Sequence, residues 1–218
     1  MPWDEPELRF SEGSGFAPNS PYAASKAAVV VGSACTAAAL CEYFAPILAA
    51  RRVEPRDDLI SALAAAEIDG QKLEDEEIYS FLRLLLPAGV ETTYRSLGNL
   101  LLGLLSDPVQ LNAVRDDRTL IPQAIEEGVR WEPPLLTITR TATRDTELGG
   151  VQIPAGSSVM PMLGAANRQE DRWPDPDRFD PSRPPQPHAG FGIGVHACLG
   201  VHLAHALLAH VVSVFLYW

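Results

Sequence analysis

The feature that most restricts the fold of this chain is one long apolar segment near its middle. The segment opens on residues 74–77, which are all acidic and so favour the positive end of a helix dipole. It stops at Asp107-Pro108, because proline cannot continue a helix. Much of the segment is apolar on every side, which is typical of a buried central helix. The sequence therefore predicts a helix over residues 75–106, about 48 Å long at 1.5 Å per residue.

Other helices flank this one, as apolar residues at helical spacing and terminating prolines indicate. They cover residues 26–52, residues 57–67, a short segment from Pro108, residues 121–131 and the apolar segment 199–217. Residues 135–162 are rich in Thr, Val and Ile and contain glycine and proline turns, which predicts short strands. Six prolines between residues 173 and 188 exclude regular helix and sheet there. The predicted fold class is therefore mainly α with a minor β region, preceded by an arm or loop over residues 1–25.

The charge balance of the chain argues against one class of partner. The 218 residues carry 17 basic and 28 acidic side chains, a net charge of −11, whereas a nucleic-acid-binding protein needs a basic face. Three cysteines do not make a disulfide framework and fit a reducing compartment. The acidic N-terminal residues are the opposite of a secretory signal, so the cytoplasm is the expected location.

The uncharged end of the chain raises the possibility of a second location, the membrane. After Arg183 the sequence has no Lys, Arg, Asp or Glu, and residues 199–218 are long enough to cross a bilayer. Three histidines, His202, His205 and His210, interrupt this segment. A tail-anchored membrane protein is therefore the last-ranked hypothesis, and membrane association is not expected.

A glycine-rich loop around Cys198 carries the sharpest chemical signal. Its sequence, FGIGVHACLG over residues 191–200, leads directly into the apolar C-terminal helix. Free N–H groups and the dipole at a helix start favour the thiolate form of a cysteine, which is the form that binds metal. Its three glycines let the backbone approach a flat partner closely. With no second cysteine beside it, Cys198 suits a single axial bond to a haem iron.

Two other interpretations of Cys198 stay open from the loop alone. A lone cysteine in a glycine-rich turn is most often a small buried hydrophobic residue. A zinc site is the other interpretation, since Cys198, His202 and His205 form a C-x3-H-x2-H pattern. The choice among these interpretations depends on motifs elsewhere in the chain.

Three more segments match one protein family in the order that the family has them. They are residues 88–93 (AGVETT), residues 127–130 (EGVR) and residues 173–179 (WPDPDRF). With the cysteine loop, they resemble the oxygen-activation motif, the E-x-x-R pair, the meander and the haem-binding signature of cytochrome P450 enzymes. E-x-x-R alone often occurs by chance, but four motifs in sequence are a strong signal. The resemblance covers residues 37–214 and points to soluble bacterial members.

The resemblance implies a fold and an activity. It places residues 26–218 in the C-terminal, haem-binding half of the P450 fold, truncated at both ends. The meander would cover residues 173–188 and the haem loop residues 190–200. The implied activity is that of a haem-thiolate monooxygenase, which inserts one atom of dioxygen into a small organic substrate. Haem b would be the cofactor, and a ferredoxin-like protein would donate the electrons.

The resemblance also implies roles for individual residues. Cys198 would be the axial ligand of the haem iron, and Glu91 and Thr92 would relay protons to bound dioxygen. The residues expected at the haem are His196 and Arg140 at its propionates, Phe191 beside the sulfur, and Gly192, Gly200, Ala88 and Gly89. The residues expected at the substrate are Val90, Leu135, Leu136 and Thr137. A structural ion-pair set is expected of Glu127, Arg130 and a meander arginine, Arg178 in preference to Arg183.

The sequence departs from the family pattern in three respects. Pro87 stands inside the predicted central helix, next to the oxygen-activation motif. His205 replaces the arginine that usually follows the Leu-Ala pair of the last helix. The matched motifs also leave the N-terminal half of the family without a counterpart. A non-catalytic or partner-dependent P450 fragment without stable haem is therefore the second hypothesis.

Overall fold

The computed structural model of this protein describes residues 10–11 and 38–217, which form two compact units. One unit covers residues 38–90, and the other covers residues 91–217 together with Phe10–Ser11, which form strand β1. The remainder of the arm predicted over residues 1–25, and the predicted helix before residue 38, lie outside the described residues.

The unit of residues 38–90 combines helices with one small hairpin. Its elements before the central helix are α1 (residues 38–53), α2 (Leu59–Ala65), β2 (Glu67–Ile68) and β3 (Gln71–Lys72). The two strands pair antiparallel through the predicted turn at Asp69-Gly70, where both residues have a positive φ, 53° and 78°. The buried core of this unit consists of Leu48, Ala64, Ile78 and Leu82.

Helix α3 runs without a break from Asp75 to Ser106, which confirms the predicted central helix. Acidic side chains occupy its first turn, and the carboxylate of Glu77 accepts a hydrogen bond from the backbone N–H of Glu74 at 2.8 Å. Both features stabilise the positive end of the helix dipole. Pro87 lies inside the helix, which continues past it.

The predicted burial of α3 on every side is wrong. Leu100 and Leu104 are buried, but Val90 is 67% exposed and Leu102 is 56% exposed. Two sides of α3 that both carry apolar residues therefore differ in burial, because other described elements pack against one side and not against the other. Hydropathy around a helix reports which sides can be buried, and the packing of other elements decides which of them are.

The core of the unit of residues 91–217 lies between the C-terminal part of α3 and later helices. These helices are α4 (Pro108–Asp116), α5 (Ile121–Trp131), the short α6 (Leu163–Ala166) and α7 (Val201–Phe215). Gly128 lets α5 approach α3, because a Cβ at that position would lie 3.1 Å from Cδ1 of Leu100. Helices α5 and α7 pack together around the buried side chains Leu100, Leu104, Val114, Ile125, Leu208 and Val212. This packing brings the E-x-x-R helix beside the helix that follows Cys198.

Short strands lie between α5 and α6, as predicted for the region of residues 135–162. They are β4 (Arg140–Ala142), β5 (Thr146–Leu148), β6 (Val151–Ile153) and β7 (Ser158–Val159). Strands β5 and β6 form a hairpin, while β4 pairs antiparallel with β7 on one side and with β1 on the other. Within the arm predicted over residues 1–25, Phe10–Ser11 add a strand to the sheet edge beside β4.

The described residues confirm a mainly α fold with a minor β region. Within the region of residues 135–162 the first strand, β4, begins at Arg140 rather than at residue 135, and the last helix covers Val201–Phe215 rather than residues 199–217. No helix within the described ranges, 38–217, has the length and apolar character needed to cross a membrane.

Candidate functional site

The cysteine loop folds back on itself through short turns. Two single 3-10 turns, Ala189–Phe191 and Gly194–His196, are followed by a hydrogen bond from the backbone N–H of Cys198 to the carbonyl of Phe191, 2.7 Å long. Gly192 has a φ of 74°, and a Cβ there would lie 3.2 Å from the carbonyl oxygen of His196. Only glycine fits this position without strain, so the sequence pattern of the loop has a direct geometric cause.

Cys198 is a free thiol at the exposed surface of this loop, three residues before the first residue of α7. Its apolar neighbours Ile193, Val195 and Leu199 are also exposed, Val195 by 91%. The interpretation of Cys198 as a buried hydrophobic residue is therefore wrong. An exposed thiol that is surrounded by apolar side chains and glycine backbone fits an apolar, flat group such as a haem, bound through one sulfur ligand.

The zinc interpretation of the same cysteine is also wrong. Within the described residues no group of three or more His, Cys, Asp and Glu side chains could hold a metal ion. His205 lies against Glu126 of α5, with its Nε2 atom 2.7 Å from the carboxylate, and His202 is exposed. The i, i+3 spacing of His202 and His205 along α7 therefore does not bring their imidazoles to one metal position.

Behind the loop, Glu127 and Arg130 form a buried ion pair on one face of α5. Nε of Arg130 donates to Oε2 of Glu127 at 2.7 Å, and its Nη2 donates to Oε1 at 2.8 Å. The remaining guanidinium donors reach three backbone carbonyls, those of Asn167 and Pro176 at 2.9 Å and that of Arg178 at 3.2 Å. All five N–H donors of the arginine therefore have an acceptor. The pair connects α5 to the irregular chain on both sides of Trp173.

The third charged member of this set is Arg183, so the preference for Arg178 is wrong. Nε of Arg183 lies 3.3 Å from Oε1 of Glu127, and its side chain is nearly buried. Arg178 contributes its backbone carbonyl, which accepts from Arg130, and the residue itself is exposed. The chain turns at Asp180, whose backbone N–H donates to Glu127 at 2.9 Å, and this turn directs the later arginine inward.

Asn167 connects the ion pair to the cysteine loop, and the sequence analysis missed it. The residue is 1% exposed; its carbonyl accepts from Arg130, and its side-chain Oδ1 accepts from the backbone N–H of Ala189 at 2.7 Å. Ala189 opens the first turn of the cysteine loop. A single buried asparagine thus ties the start of that loop to α5. An isolated Asn after a short apolar helix carries no recognisable signal by itself.

The expected proton relay lies on α3 in the same unit as the cysteine loop. Glu91 and Thr92 are both partly buried, and Oε1 of Glu91 lies 3.0 Å from Nη2 of Arg95, one turn further along the helix. The sequence analysis did not expect this ion pair. The preceding motif residues Ala88, Gly89 and Val90 belong to the unit of residues 38–90 and are exposed on α3.

The other expected site residues lie on the loop and on the strand region. His196 is exposed in the second turn of the cysteine loop, and Gly200 directly precedes α7. Nη1 of Arg140 donates to the carbonyl of Thr139 at 3.1 Å. The segment over residues 135–137 is fixed by its own contacts, since the Thr137 hydroxyl donates to the carbonyl of Pro161 at 2.9 Å.

Comparison with known proteins identifies the family of this chain. The family model described as Cytochrome P450 matches residues 40–216, so the chain belongs to the cytochrome P450 family. Cytochrome P450 109 of Bacillus spizizenii is 46% identical over 165 residues, which are 76% of this chain and 41% of that protein. Erythromycin C-12 hydroxylase of Saccharopolyspora erythraea is 46% identical over 167 residues, 76% of this chain and 42% of the relative.

Solved structures agree with the sequence relatives. The post-tailoring hydroxylase HmtN of himastatin biosynthesis has a TM-score of 0.80 and 40% identity, over 87% of this chain and 51% of that chain. CYP109Q5 from Chondromyces apiculatus has a TM-score of 0.77 and 46% identity, over 81% of this chain and 46% of that chain. The chain thus spans about two fifths of the length of the curated relatives and about half of the solved chains.

Proposed function

We propose that this chain carries the cysteine-ligand part of a haem-thiolate monooxygenase, which inserts one oxygen atom from dioxygen into a small organic substrate. The observation that carries the proposal is the position of Cys198, exposed at the start of α7 in a glycine loop that a buried ion pair supports from behind. Haem b, when bound, supplies the oxygen-activating chemistry, which a thiolate ligand promotes by donating electrons. A ferredoxin-like protein supplies the electrons.

Cys198 would hold the iron through its sulfur in this proposal, three residues before the first residue of α7. The hydrogen bond between the Cys198 amide and the Phe191 carbonyl fixes the backbone from which the sulfur projects.

Glu91 and Thr92 deliver protons in this proposal. A carboxylic acid next to an alcohol on one helix can pass a proton from solvent towards a bound oxygen molecule. The ion pair between Glu91 and Arg95 holds the carboxylate on its helix between transfers. The residues before this pair follow the family motif: Ala88 and Gly89 are assigned to the haem side, and Val90 is assigned to the substrate.

The remaining contacts are carried over from the family pattern. His196 and Arg140 would bind the haem propionates through charge-assisted hydrogen bonds. Phe191, Gly192 and Gly200 shape the loop around the sulfur, and Leu135, Leu136 and Thr137 line the substrate side. Glu127 and Arg130, with Arg183 in place of Arg178, hold the support behind the loop. The assignment of residues 26–218 to one partial haem domain is part of the same proposal.

Haem loading of the purified full chain tests the proposed function. We expect the haem-loaded protein, reduced under carbon monoxide, to give the Soret band that is shifted by a thiolate ligand. Cys198→Ala should abolish this band, because the axial sulfur is then missing. Cys41→Ala is the matched control and should keep it, because Cys41 lies in the other unit, where its sulfur accepts from Arg83. A thiolate-shifted band that survives in Cys198→Ala would contradict the proposal.

The same experiment addresses the second hypothesis, a partner-dependent fragment without stable haem. One observation favours it: an exposed apolar row at four-residue spacing begins at Leu199, before α7, and continues along α7 with Leu203, Leu207 and Val211, of which Leu203 is 64% exposed. Water contact at such a row is unfavourable, and a second polypeptide would remove it. A chain that stays colourless after haem loading supports this hypothesis over catalysis by the chain alone.

A further inference from the structure

Three titratable side chains from different elements meet around the ring of Phe191. Glu126 projects from α5, His188 precedes the cysteine loop, and His205 lies on α7. The two carboxylate oxygens of Glu126 lie 2.8 Å from Nε2 of His188 and 2.7 Å from Nε2 of His205. One carboxylate thus joins the two imidazoles. None of the three residues belongs to the roles proposed above.

The hydrogen bonds of His188 fix its tautomer. Its Nδ1 accepts from the backbone N–H of Gly190 at 3.0 Å, so in the neutral ring the proton lies on Nε2. Nε2 then donates to Oε2 of Glu126 at 2.8 Å. This hydrogen bond is the largest cause that lowers the pKa of Glu126, which keeps the carboxylate ionised. The side chain of His188 is 5% exposed and that of Glu126 is 44% exposed, so the imidazole is shielded from water while the carboxylate stays partly in contact with it.

His205 completes the cluster from the opposite side. Its Nε2 atom is buried and is not aligned for a hydrogen bond, although it lies within ion-pair distance of Glu126. The imidazole ring packs edge-to-face on Phe191, with centroids 5.0 Å apart and planes at 85°, while the His188 ring lies 6.0 Å from Phe191 on a tilted plane.

We propose that Glu126 is a positioning residue for the cysteine ligand: it holds His188 and His205 against Phe191, whose carbonyl holds the backbone N–H of Cys198. The inference rests on the proposed function for its meaning, because it concerns the geometry of the iron-binding sulfur. Glu126 acts on Cys198 through other residues: its carboxylate contacts the two imidazoles, the imidazoles contact the ring of Phe191, and the 2.7 Å bond from Cys198 ends on Phe191. Without the carboxylate, both imidazoles lose their shared partner and Phe191 loses its two lateral supports.

Amide hydrogen exchange at Cys198 in the full, haem-free chain tests this inference directly. We expect Glu126→Gln to exchange that amide about tenfold faster than wild type, because losing a charged hydrogen-bond partner weakens the local structure. Glu170→Gln is the matched control, since Glu170 is an exposed glutamate elsewhere in the same unit. Unchanged exchange at Cys198 in Glu126→Gln would overturn the proposal.

Two changes at position 205 separate positioning by charge from simple packing and provide a test if Glu126→Gln does not fold. His205→Arg places a permanent cation opposite Glu126 and should keep wild-type protection of the Cys198 amide. His205→Ala should lose it. If His205→Arg exchanges as fast as His205→Ala, ring packing alone fixes Phe191 and the proposal is wrong.

The haem-loaded forms distinguish a failure of this inference from a failure of the proposed function. Glu126→Gln should shift the reduced carbon monoxide spectrum from the thiolate-ligated form towards the form without thiolate, and His205→Arg should not. A wild-type chain that binds no haem contradicts the proposed function but leaves the exchange experiment decisive. A wild-type chain with the thiolate band and a Glu126→Gln variant with an identical spectrum contradicts the inference alone.

Discussion

Replacing Arg130 by lysine tests whether a guanidinium, rather than a positive charge alone, holds the irregular chain behind the cysteine loop. Arg130 is 1% exposed, and its five N–H donors reach Glu127 twice and the carbonyls of Asn167, Pro176 and Arg178. Lysine keeps the charge but has only three donors, so at least two of the five hydrogen bonds are lost. A hydrogen bond to a charged group contributes about 1.5–3 kcal/mol, which predicts a loss of about 3–6 kcal/mol in the free energy of unfolding.

Urea unfolding followed by tryptophan fluorescence measures this loss. The ring of Trp173 lies 5.3 Å from the guanidinium carbon of Arg130 and so reports on the same region. Arg168→Lys is the control: this arginine also bonds a carbonyl, that of Trp131, but its side chain is 34% exposed. Water can replace its bonds, so we expect a loss of about 1 kcal/mol or less. Equal losses in the two variants, or a loss below about 0.5 kcal/mol in Arg130→Lys, would refute the reasoning.

Three further substitutions test local features of the two units. A hydrogen bond from Arg51 lowers the pKa of Asp58 from 3.8 to about 2, so the stability from this carboxylate is complete above its unfolded-state pKa and is lost as the pH falls through the folded-state value. The urea midpoint of Asp58→Ala should therefore lie below wild type near neutral pH, with a gap that closes in acid; a constant gap contradicts this. Gly190→Ala should lose about 1–3 kcal/mol by overpacking, because its Cβ would lie 2.5 Å from Cγ1 of Val129. Gly98→Ala, which meets nothing within 4 Å inside α3, should gain about 0.5–1 kcal/mol; changes of one sign in both would contradict the packing argument.

Local signals in the sequence predicted those elements whose causes are themselves local. The acidic run and the Asp-Pro stop fixed both ends of α3, and the spacing of Glu127 and Arg130 placed them on one helix face. The choice between Arg178 and Arg183 could not be made in this way. Both belong to one irregular segment, where no periodicity tells which side chain turns inward. The turn at Asp180 decides it, and that turn depends on a bond to a helix far away in sequence.

Burial and strand pairing were also beyond local signals. The exposed side of α3 also carries large apolar side chains, so sequence alone could not distinguish Leu102 from Leu104. Strand β1 is only two residues long, and it exists because β4 offers an edge to pair with. Asn167 was missed for a related reason. Its role comes from two partners, Arg130 and Ala189, that only the folded chain brings to it.

The arginines behind the cysteine loop compensate for a shortage of backbone donors. Proline has no N–H, and the segment over residues 173–188 has six prolines, so its carbonyl groups cannot all find backbone partners. Guanidinium groups supply the missing donors: Arg130 and Arg183 both reach the Arg178 carbonyl, and Arg183 also reaches that of Pro174. A buried ion pair contributes little net stability by itself, because desolvation offsets its attraction. Its value here lies in geometry, since each donor fixes one carbonyl of a segment that has no regular secondary structure. The order of that segment, and through Asn167 the position of the cysteine loop, therefore depends on side chains rather than on a backbone ladder.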